Sequence, residues 1–171
     1  MSQTAEHHIP SLTFRDTVRS SDADAVRDIV ASTGFFTSAE IEVAVELVHD
    51  RLSRGERSEY FFLFADCDGR VVGYSCYGPI ACTVGSFDLY WIAVHEKWRG
   101  RGIGSVLLRA TEERIAAAGG RAIYVETASR AQYDPTRRYY ENNRYVREAT
   151  LKDFYTPGDD KVIYSKRIRG A

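Results

Sequence analysis

A buried strand, a glycine-rich turn, a helix and a second buried strand follow one another over residues 86–125, and this order constrains the fold more than any other feature. Residues 86–94 are apolar at nearly every position except Asp88, which is typical of a strand covered on both faces. Glycines at 100, 102 and 104 precede a helix with apolar residues at helical spacing, and residues 122–125 form the next strand. This βαβ unit predicts parallel pairing of the two strands through a right-handed crossover.

The rest of the chain predicts a mixture of strands and helices around this unit. Alternating residues favour a strand over 12–18, and two amphipathic patterns predict helices over 22–34 and 38–55. The Asp68-Gly69 pair predicts a turn between antiparallel strands at 60–65 and 70–77. A short helix is expected from Asp134 to Asn142, followed by strands at 145–154 and 161–167. The fold class is therefore α/β (α+β).

Length and composition place these elements in one globular domain. A chain of 171 residues is close to one domain of about 150, and we expect a flexible leader over 1–11 and a single domain over 12–171. Hydrophobic residues are 44% and charged residues 27% of the chain, which excludes a disordered or fibrous protein. A net charge of −1 gives no reason to expect a nucleic acid or a membrane as partner.

Targeting and cysteine patterns predict a cytoplasmic protein without a bound metal. The chain has neither a signal-peptide pattern nor an apolar run long enough to span a bilayer. Its three cysteines, Cys67, Cys76 and Cys82, contain no C-x-x-C pair, so their spacing supports neither a disulfide framework nor a zinc site.

The glycine turn predicts an anion-binding site. Closely spaced glycines expose backbone N–H groups, and the helix that follows carries about half a positive charge at its N-terminus. Arg99 and Arg101 add further positive charge, so a phosphate or pyrophosphate is the expected guest. The letters match neither G-x-G-x-x-G nor the Gly-Lys-Ser/Thr ending of a P-loop. A tight turn with no ligand is the alternative.

The pattern Arg99-x-x-Gly102-x-Gly104 resembles the acetyl-coenzyme A signature of the Gcn5-related N-acetyltransferase (GNAT) superfamily. Trp-Ile-Ala-Val-His before the turn and Tyr-Tyr-Glu-Asn-Asn-Arg-Tyr at 139–145 follow the family's order. The resemblance implies a mixed, mostly antiparallel sheet with a βαβ acetyl-coenzyme A-binding core and helices on both faces. It also implies acetyl transfer to a primary amine by direct attack in a ternary complex. The alternative is a non-catalytic acyl-coenzyme A sensor or interaction module.

The resemblance also implies which residues hold the coenzyme. The backbone of Ile92, Ala93 and Val94 would pair with the pantetheine arm, and the N–H groups of 99–105 would bind the pyrophosphate. The implied coenzyme-binding residues are Ile92, Ala93, Val94, Arg99, Gly100, Arg101, Gly102, Ile103, Gly104, Ser105, Arg138 and Tyr140.

Four residues are the candidates for catalysis. By resemblance the Val94 N–H would donate to the thioester oxygen and Tyr140 would protonate the leaving thiolate. Asp88 is the first candidate for the base and Glu126, at the end of the following strand, is the second; a chain of waters is an alternative base. Tyr140 as a core aromatic and Asp88 as a salt-bridged acid are the structural alternatives.

Several finer expectations concern the surroundings of the site. Strand parity places Asp88, Tyr90, Ile92 and Val94 on one face. Tyr139 is expected to be more buried than Tyr140, Asn143 to supply the left-handed residue after the helix, and His95 to lie at the surface.

The resemblance also implies that the acceptor site is walled by the two N-terminal helices and the acidic, aromatic segment at 153–160. Its carboxylates favour a cationic acceptor. The open candidates are a polyamine or aminoglycoside-like amine, an amino acid, and a protein lysine or N-terminus. A homodimer through the outer strands is a further possibility.

Overall fold

The computed structural model describes residues 11–168 and contains seven strands and four helices longer than one turn. In chain order these are β1 (Leu12–Arg15), α1 (Asp22–Ser32), α2 (Ser38–Arg54), β2 (Phe61–Cys67), β3 (Arg70–Pro79), β4 (Ser86–Val94), α3 (Ile103–Ala117), β5 (Ala122–Ala128), α4 (Asp134–Asn142), β6 (Val146–Thr156) and β7 (Asp159–Arg167). Apart from Ser11, the predicted leader lies outside the described residues.

All seven strands belong to one mixed sheet in the order β1-β2-β3-β4-β5-β7-β6. Each neighbouring pair is antiparallel except β4 and β5, which are parallel and joined by α3. The predicted fold class and the βαβ crossover are confirmed. The only parallel pair of this sheet therefore lies at its centre.

Helices cover both faces of the sheet, as predicted. One core contains residues of α1 and α2 packed on Phe62, Phe64 and Tyr74 of the sheet. The other contains Leu107 and Leu108 of α3 together with residues of α4, of β2–β5 and of β7. The two clusters follow from the alternation of side chains along each strand.

Local sequence signals place the ends of several elements. The Thr37 side chain accepts a hydrogen bond from the Glu40 N–H at 3.3 Å, and the Glu40 carboxylate accepts one from the Thr37 N–H at 2.8 Å. This capping box fixes the start of α2. Between β2 and β3, Asp68 and Gly69 have φ values of 49° and 77°, as the Asp-Gly turn requires.

The end of α4 corrects one expectation. Arg144, with φ of 67°, is the left-handed residue, whereas Asn143 has φ of −91°. The Tyr145 N–H donates to the Tyr140 carbonyl and the Arg144 N–H to the Glu141 carbonyl, both at 3.0 Å. This is a Schellman motif, in which the left-handed residue lies one position beyond the C-cap. Asn143 is that C-cap, so the strained position falls on the arginine.

The Tyr74 hydroxyl is fully buried and has no hydrogen-bond partner among the described residues. Burial raises the pKa of this phenol well above its ordinary value, so the group is a neutral, unsatisfied polar atom inside the α1–α2 core. We expect Tyr74→Phe to increase the free energy of unfolding by about 1–2 kcal/mol, because an unsatisfied buried hydroxyl carries an unrecovered desolvation cost. Urea denaturation measures the difference.

Tyr164→Phe is the matched control for this prediction. Tyr164 is equally buried, but its hydroxyl donates to the Glu141 carboxylate at 2.8 Å. Removing that hydroxyl should lower the free energy of unfolding by about 1.5–3 kcal/mol. A destabilised Tyr74→Phe variant would show that the hydroxyl has a partner in solution.

Candidate active site

The parallel strands β4 and β5 separate soon after they begin. They pair only at Ser86↔Ala122, Phe87↔Ile123 and Asp88↔Tyr124, although both strands continue beyond these pairs. A cleft of about 640 Å³ lies beyond this point, lined by residues 90–94 of β4 and 126–128 of β5. Open strand edges inside a sheet leave backbone groups free to bind an extended ligand.

A β-bulge at Tyr90 lies where the two strands part. Leu89 is opposite Tyr77 of β3 and Trp91 is opposite the adjacent Cys76, so Tyr90 is an extra residue. Leu89 and Ile92 consequently pack into the same core, on the α3 side. The expectation that Asp88, Tyr90, Ile92 and Val94 share one face is wrong, because a bulge reverses the alternation of side chains after it.

The strand register decides which backbone groups of β4 face the cleft. The His95 N–H donates to the Val72 carbonyl of β3 at 2.9 Å, and in an antiparallel ladder successive residues alternate between the two edges. The N–H and C=O groups of Val94 and Ile92 therefore point into the cleft. Those of Ala93 point toward Tyr74 of β3, so the backbone of Ala93 faces the neighbouring strand, although the residue itself lines the cleft.

The glycine turn connects the end of β4 to α3 at one end of the cleft. Gly100 and Gly102 have φ values of 75° and 78°, which non-glycine residues rarely adopt. The Arg99 side chain turns back toward the cleft, where its Nε donates to the Val94 carbonyl at 3.4 Å. The N-terminus of α3, beginning at Ile103, thus lies beside a cationic side chain and suits an anion.

The burial of the two tyrosines of α4 is the reverse of what the sequence predicted. Tyr140 is only 6% exposed, whereas Tyr139 is partly exposed; both line the cleft. The Tyr139 hydroxyl donates to the Gly104 carbonyl at 2.8 Å, which fixes α4 against α3. The Tyr140 hydroxyl donates to no other described residue. Burial raises the pKa of Tyr140, so its hydroxyl keeps its proton at neutral pH.

Of the two candidate carboxylates, only Glu126 lines the cleft. Its Oε2 lies 2.6 Å from Nζ of Lys161 on β7, and half of its side chain is exposed. Asp88 lies behind it on the same face of the sheet, since it pairs with Tyr124, two residues before Glu126. Desolvation and, secondarily, the charge of Glu126 raise the pKa of Asp88, against a smaller opposite effect of Lys161.

The segments that the sequence predicted around the acceptor site also line the cleft. Phe35, Phe36 and Glu40 come from the α1–α2 connection and the start of α2, and Tyr155 and Asp159 come from the β6–β7 hairpin. Sequence reasoning missed the aromatic residues Phe35, Phe36, Trp91 and Tyr133, which also line the cleft. In the sequence, the only sign of this aromatic lining was the adjacent pair Phe35 and Phe36 in a loop. Two neighbouring phenylalanines indicate no particular contact.

Half of the predicted site residues line the cleft. These are Ile92, Ala93, Val94, Arg99, Gly104, Glu126 and Tyr140, whereas Asp88, Gly100, Arg101, Gly102, Ile103, Ser105 and Arg138 lie outside its lining. Residues 100–102 belong to the glycine turn, and Ile103 and Ser105 belong to the first turn of α3. Both segments lie at one end of the cleft. Their roles, like those of all the site residues, stay predictions.

The surface position expected for His95 is wrong. The side chain is 8% exposed; its Nδ1 accepts a hydrogen bond from the Lys97 N–H at 3.2 Å, and its Nε2 lies 3.4 Å from Asp28. The contacts with the Lys97 N–H and with Asp28 of α1 hold the imidazole against the protein. His95 therefore caps the short turn after β4 and does not line the cleft.

Comparison with known proteins agrees with this architecture. The family model for GNAT acetyltransferases matches residues 24–144. An uncharacterized N-acetyltransferase from Methanocaldococcus jannaschii is 31% identical over 114 residues, which are 62% of this chain and 65% of that protein. This chain thus matches just under two thirds of that relative's length.

Solved structures show the same fold. The crystal structure of a Desulfovibrio desulfuricans protein assigned to the GNAT acetyltransferases has a TM-score of 0.91 and 44% identity, covering 93% of this chain and 100% of that one. The PaiA N-acetyltransferase of Thermoplasma acidophilum in complex with coenzyme A has a TM-score of 0.69 and 18% identity, covering 92% and 99%. The chain belongs to the GNAT family of acetyltransferases.

No helix within 11–168 is long and apolar enough to cross a membrane. In the same range, no three or more histidine, cysteine, aspartate or glutamate side chains are grouped so that they could hold a metal ion.

Proposed function

We propose that this protein transfers the acetyl group of acetyl-coenzyme A to a primary amine by direct attack in a ternary complex. The observation that carries the proposal is the separation of β4 and β5 next to the glycine turn. One cleft then offers the backbone groups of Ile92, the N–H of Val94 and, at its end, a helix N-terminus that suits an anion. This arrangement suits an extended ligand that ends in a pyrophosphate.

The glycine turn and β4 hold the coenzyme in this proposal. The N–H groups of residues 99–105, assisted by Arg99 and Arg101, bind the pyrophosphate, where the positive end of α3 favours negative charge. The Ile92 and Val94 backbone groups pair with the amides of the pantetheine arm. Arg138 reaches toward the phosphates, while Arg137 is held by the Ala128 carbonyl, 2.6 Å from its Nη1.

The cleft also supplies the groups that the reaction needs. The amine nitrogen attacks the thioester carbon, and the Val94 N–H donates to the oxyanion that develops, a contribution of about 3 kcal/mol in comparable sites. The carbon–sulfur bond then breaks, and the Tyr140 hydroxyl gives its proton to the leaving thiolate. The ammonium proton passes to the carboxylate pair, of which Glu126 is the member that reaches the cleft.

Titration calorimetry with acetyl-coenzyme A, coenzyme A, ATP and NAD tests the coenzyme site. We expect selective binding of the two coenzyme A forms. A thiol-release assay with a panel of primary amines then tests turnover, and amine-dependent release is the expected result. Binding without release for any amine would support the sensor or interaction module, and no binding of either coenzyme form would refute the proposal.

Asp88→Asn separates a structural role of this acid from a functional one. Because the pKa of Asp88 is raised in the folded protein, the folded state holds the proton more tightly than the unfolded state. Protonated Asp88 therefore contributes to the free energy of unfolding in full below the ordinary aspartate pKa of about 3.9. This contribution is lost as the pH rises through the pKa that Asp88 has in the folded protein. We expect Asp88→Asn to increase unfolding free energy at pH 7, by less than about 1 kcal/mol for this half-exposed group.

Thermal unfolding from pH 3 to pH 8 checks this expectation. The advantage of the variant should disappear toward pH 3, where wild-type Asp88 is also neutral. Glu126→Gln serves as the kinetic counterpart, and we expect it to lower kcat/KM more than Asp88→Asn does. A destabilised Asp88→Asn variant at pH 7 would indicate that this acid is a structural salt-bridge partner.

A further inference from the structure

Aromatic side chains make up much of the lining of the cleft. They come from four separate parts of the chain: Phe35 and Phe36 before α2, Tyr90 and Trp91 in β4, Tyr133 before α4, and Tyr155 at the end of β6. Tyr90 and Tyr155 remain 40% and 45% exposed. Large apolar side chains that stay exposed around a concave site mark a surface that binds something.

Contacts between these rings join the walls of the cleft. The Phe36 ring lies 5.0 Å from that of Trp91, and the Phe35 ring lies 5.8 Å from that of Tyr133. The Arg99 guanidinium lies 5.4 Å from the Phe35 ring, which connects this aromatic wall to the turn where the coenzyme is proposed to bind. An acceptor bound beside the thioester must therefore contact aromatic rings.

Two of the three acids in the same region are ion-paired within the protein, and among the described residues only Glu40 has no cationic partner. Three acids line the cleft: Glu40, Glu126 and Asp159. Glu126 is paired with Lys161 at 2.6 Å, and Asp159 with Arg130 at 2.8 Å. The Glu40 carboxylate accepts hydrogen bonds from the Thr37 N–H and hydroxyl, at 2.8 and 2.9 Å.

This pairing changes the acceptor that the sequence suggested. A polyamine or an aminoglycoside brings several ammonium groups, each of which needs an anionic partner once it leaves water. Two of the three acids that line the cleft are already ion-paired and only Glu40 keeps a charge without a cationic partner among the described residues, so the charge left for a substrate suits one amine and not several. The aromatic lining, by contrast, gains contact with a flat apolar group.

We propose that the acyl acceptor is a small aromatic monoamine, with its ring among Phe35, Phe36, Trp91 and Tyr155 and its single amine directed at Glu126. The inference rests on the proposed acetyltransferase function and deepens it. The amine then lies on the same side of the cleft as the carboxylate pair that takes its proton.

Steady-state kinetics with 2-phenylethylamine, n-butylamine, spermidine, glucosamine and an alanine-initiated peptide test the inference. At saturating acetyl-coenzyme A, kcat/KM for 2-phenylethylamine should exceed that for n-butylamine by about tenfold or more, because several apolar carbons are lost from the contact. A higher kcat/KM for spermidine, glucosamine or the peptide would overturn the inference while leaving the transferase function intact.

Tyr155→Ala locates the preference within the cleft. Tyr155 is exposed at the end of an edge strand, so its truncation should not impair folding. We expect KM for 2-phenylethylamine to rise about tenfold, KM for n-butylamine to change less, and acetyl-coenzyme A affinity by calorimetry to stay unchanged. Val146→Ala, an exposed position of β6 outside the cleft, is the control and should alter none of these values.

The calorimetric readout separates the two possible failures. If acetyl-coenzyme A binds and turnover occurs, but Tyr155→Ala affects both amines equally, the aromatic acceptor site is refuted alone. If acetyl-coenzyme A does not bind, the proposed function fails and the inference fails with it. If it binds and no amine on the panel is acetylated, the inference is likewise overturned.

Discussion

Replacement of Tyr140 by phenylalanine should lower kcat by about 10²–10⁴-fold, the usual contribution of a positioned general acid. The ring fills the same space in the aromatic cluster, 5.5 Å from Tyr145 and 6.1 Å from Tyr164. The hydroxyl donates to no other described residue, so its loss breaks no structural hydrogen bond among them. We therefore expect acetyl-coenzyme A affinity and thermal stability to stay near the wild-type values while thiol release falls.

Tyr145→Phe is the control for this prediction. Tyr145 belongs to the same cluster and is 3% exposed, but its hydroxyl donates to the Glu112 carboxylate at 3.2 Å and does not line the cleft. This variant should lose about 1.5–3 kcal/mol of stability and retain its kcat at a temperature where it is folded. A Tyr140→Phe enzyme with more than a third of the wild-type kcat would exclude Tyr140 as the acid.

Arg15→Met should destabilise the protein by about 3–5 kcal/mol, because it leaves a buried carboxylate without its charged partner. Two nitrogens of Arg15 donate to Asp22 at 2.8 Å each, and its Nε donates to Asp66 at 3.0 Å. The Asp22 side chain is 1% exposed. This cluster anchors the start of α1 to β1 and β2, and α1 in turn carries the loop with Phe35 and Phe36.

Chemical denaturation of three variants checks the effect. Arg15→Lys should recover only part of the loss, since an ammonium cannot reproduce the planar, two-pronged bond to a carboxylate. Glu42→Ala removes the exposed pair of Arg27 and Glu42, whose side chains are 44% and 56% exposed, and should leave the stability close to that of the wild type, because water screens an exposed ion pair. Equal losses for Arg15→Met and Glu42→Ala would contradict the assignment.

Local patterns in the amino-acid chain were enough to predict the order of the elements and the position of the glycine turn. Apolar periodicity placed the helices within a few residues of their observed bounds, and residues 86–94 were predicted without error. These signals are local: an Asp-Gly turn, a proline at the start of α4 and glycines with positive φ act within a few residues of themselves. The family resemblance then supplied the mixed, mostly antiparallel character of the sheet, which no local signal contains, whereas the order of the strands comes from the structure.

Strand pairing and helix packing determined which side chains of the site are buried and which face of the sheet they occupy. The bulge at Tyr90 arises from pairing with β3 and reverses the faces of β4 that parity predicts. Tyr140 is buried rather than Tyr139 because α4 packs its ring against Tyr145 and Tyr164. Both outcomes depend on strands and helices far apart in the chain, which compete with local preference once the core forms.

The ion pairs of the cleft also depend on contacts between residues far apart in the chain. The sequence shows an acidic cluster near the C-terminus, but only the fold brings Lys161 to Glu126 and Arg130 to Asp159. A carboxylate's partner is fixed by distances of a few ångströms between residues about 30 positions apart, since electrostatic energy depends on separation in space and not along the chain. The sequence thus determined the elements and their chemistry, and the packing of the sheet decided which groups remain free for a substrate.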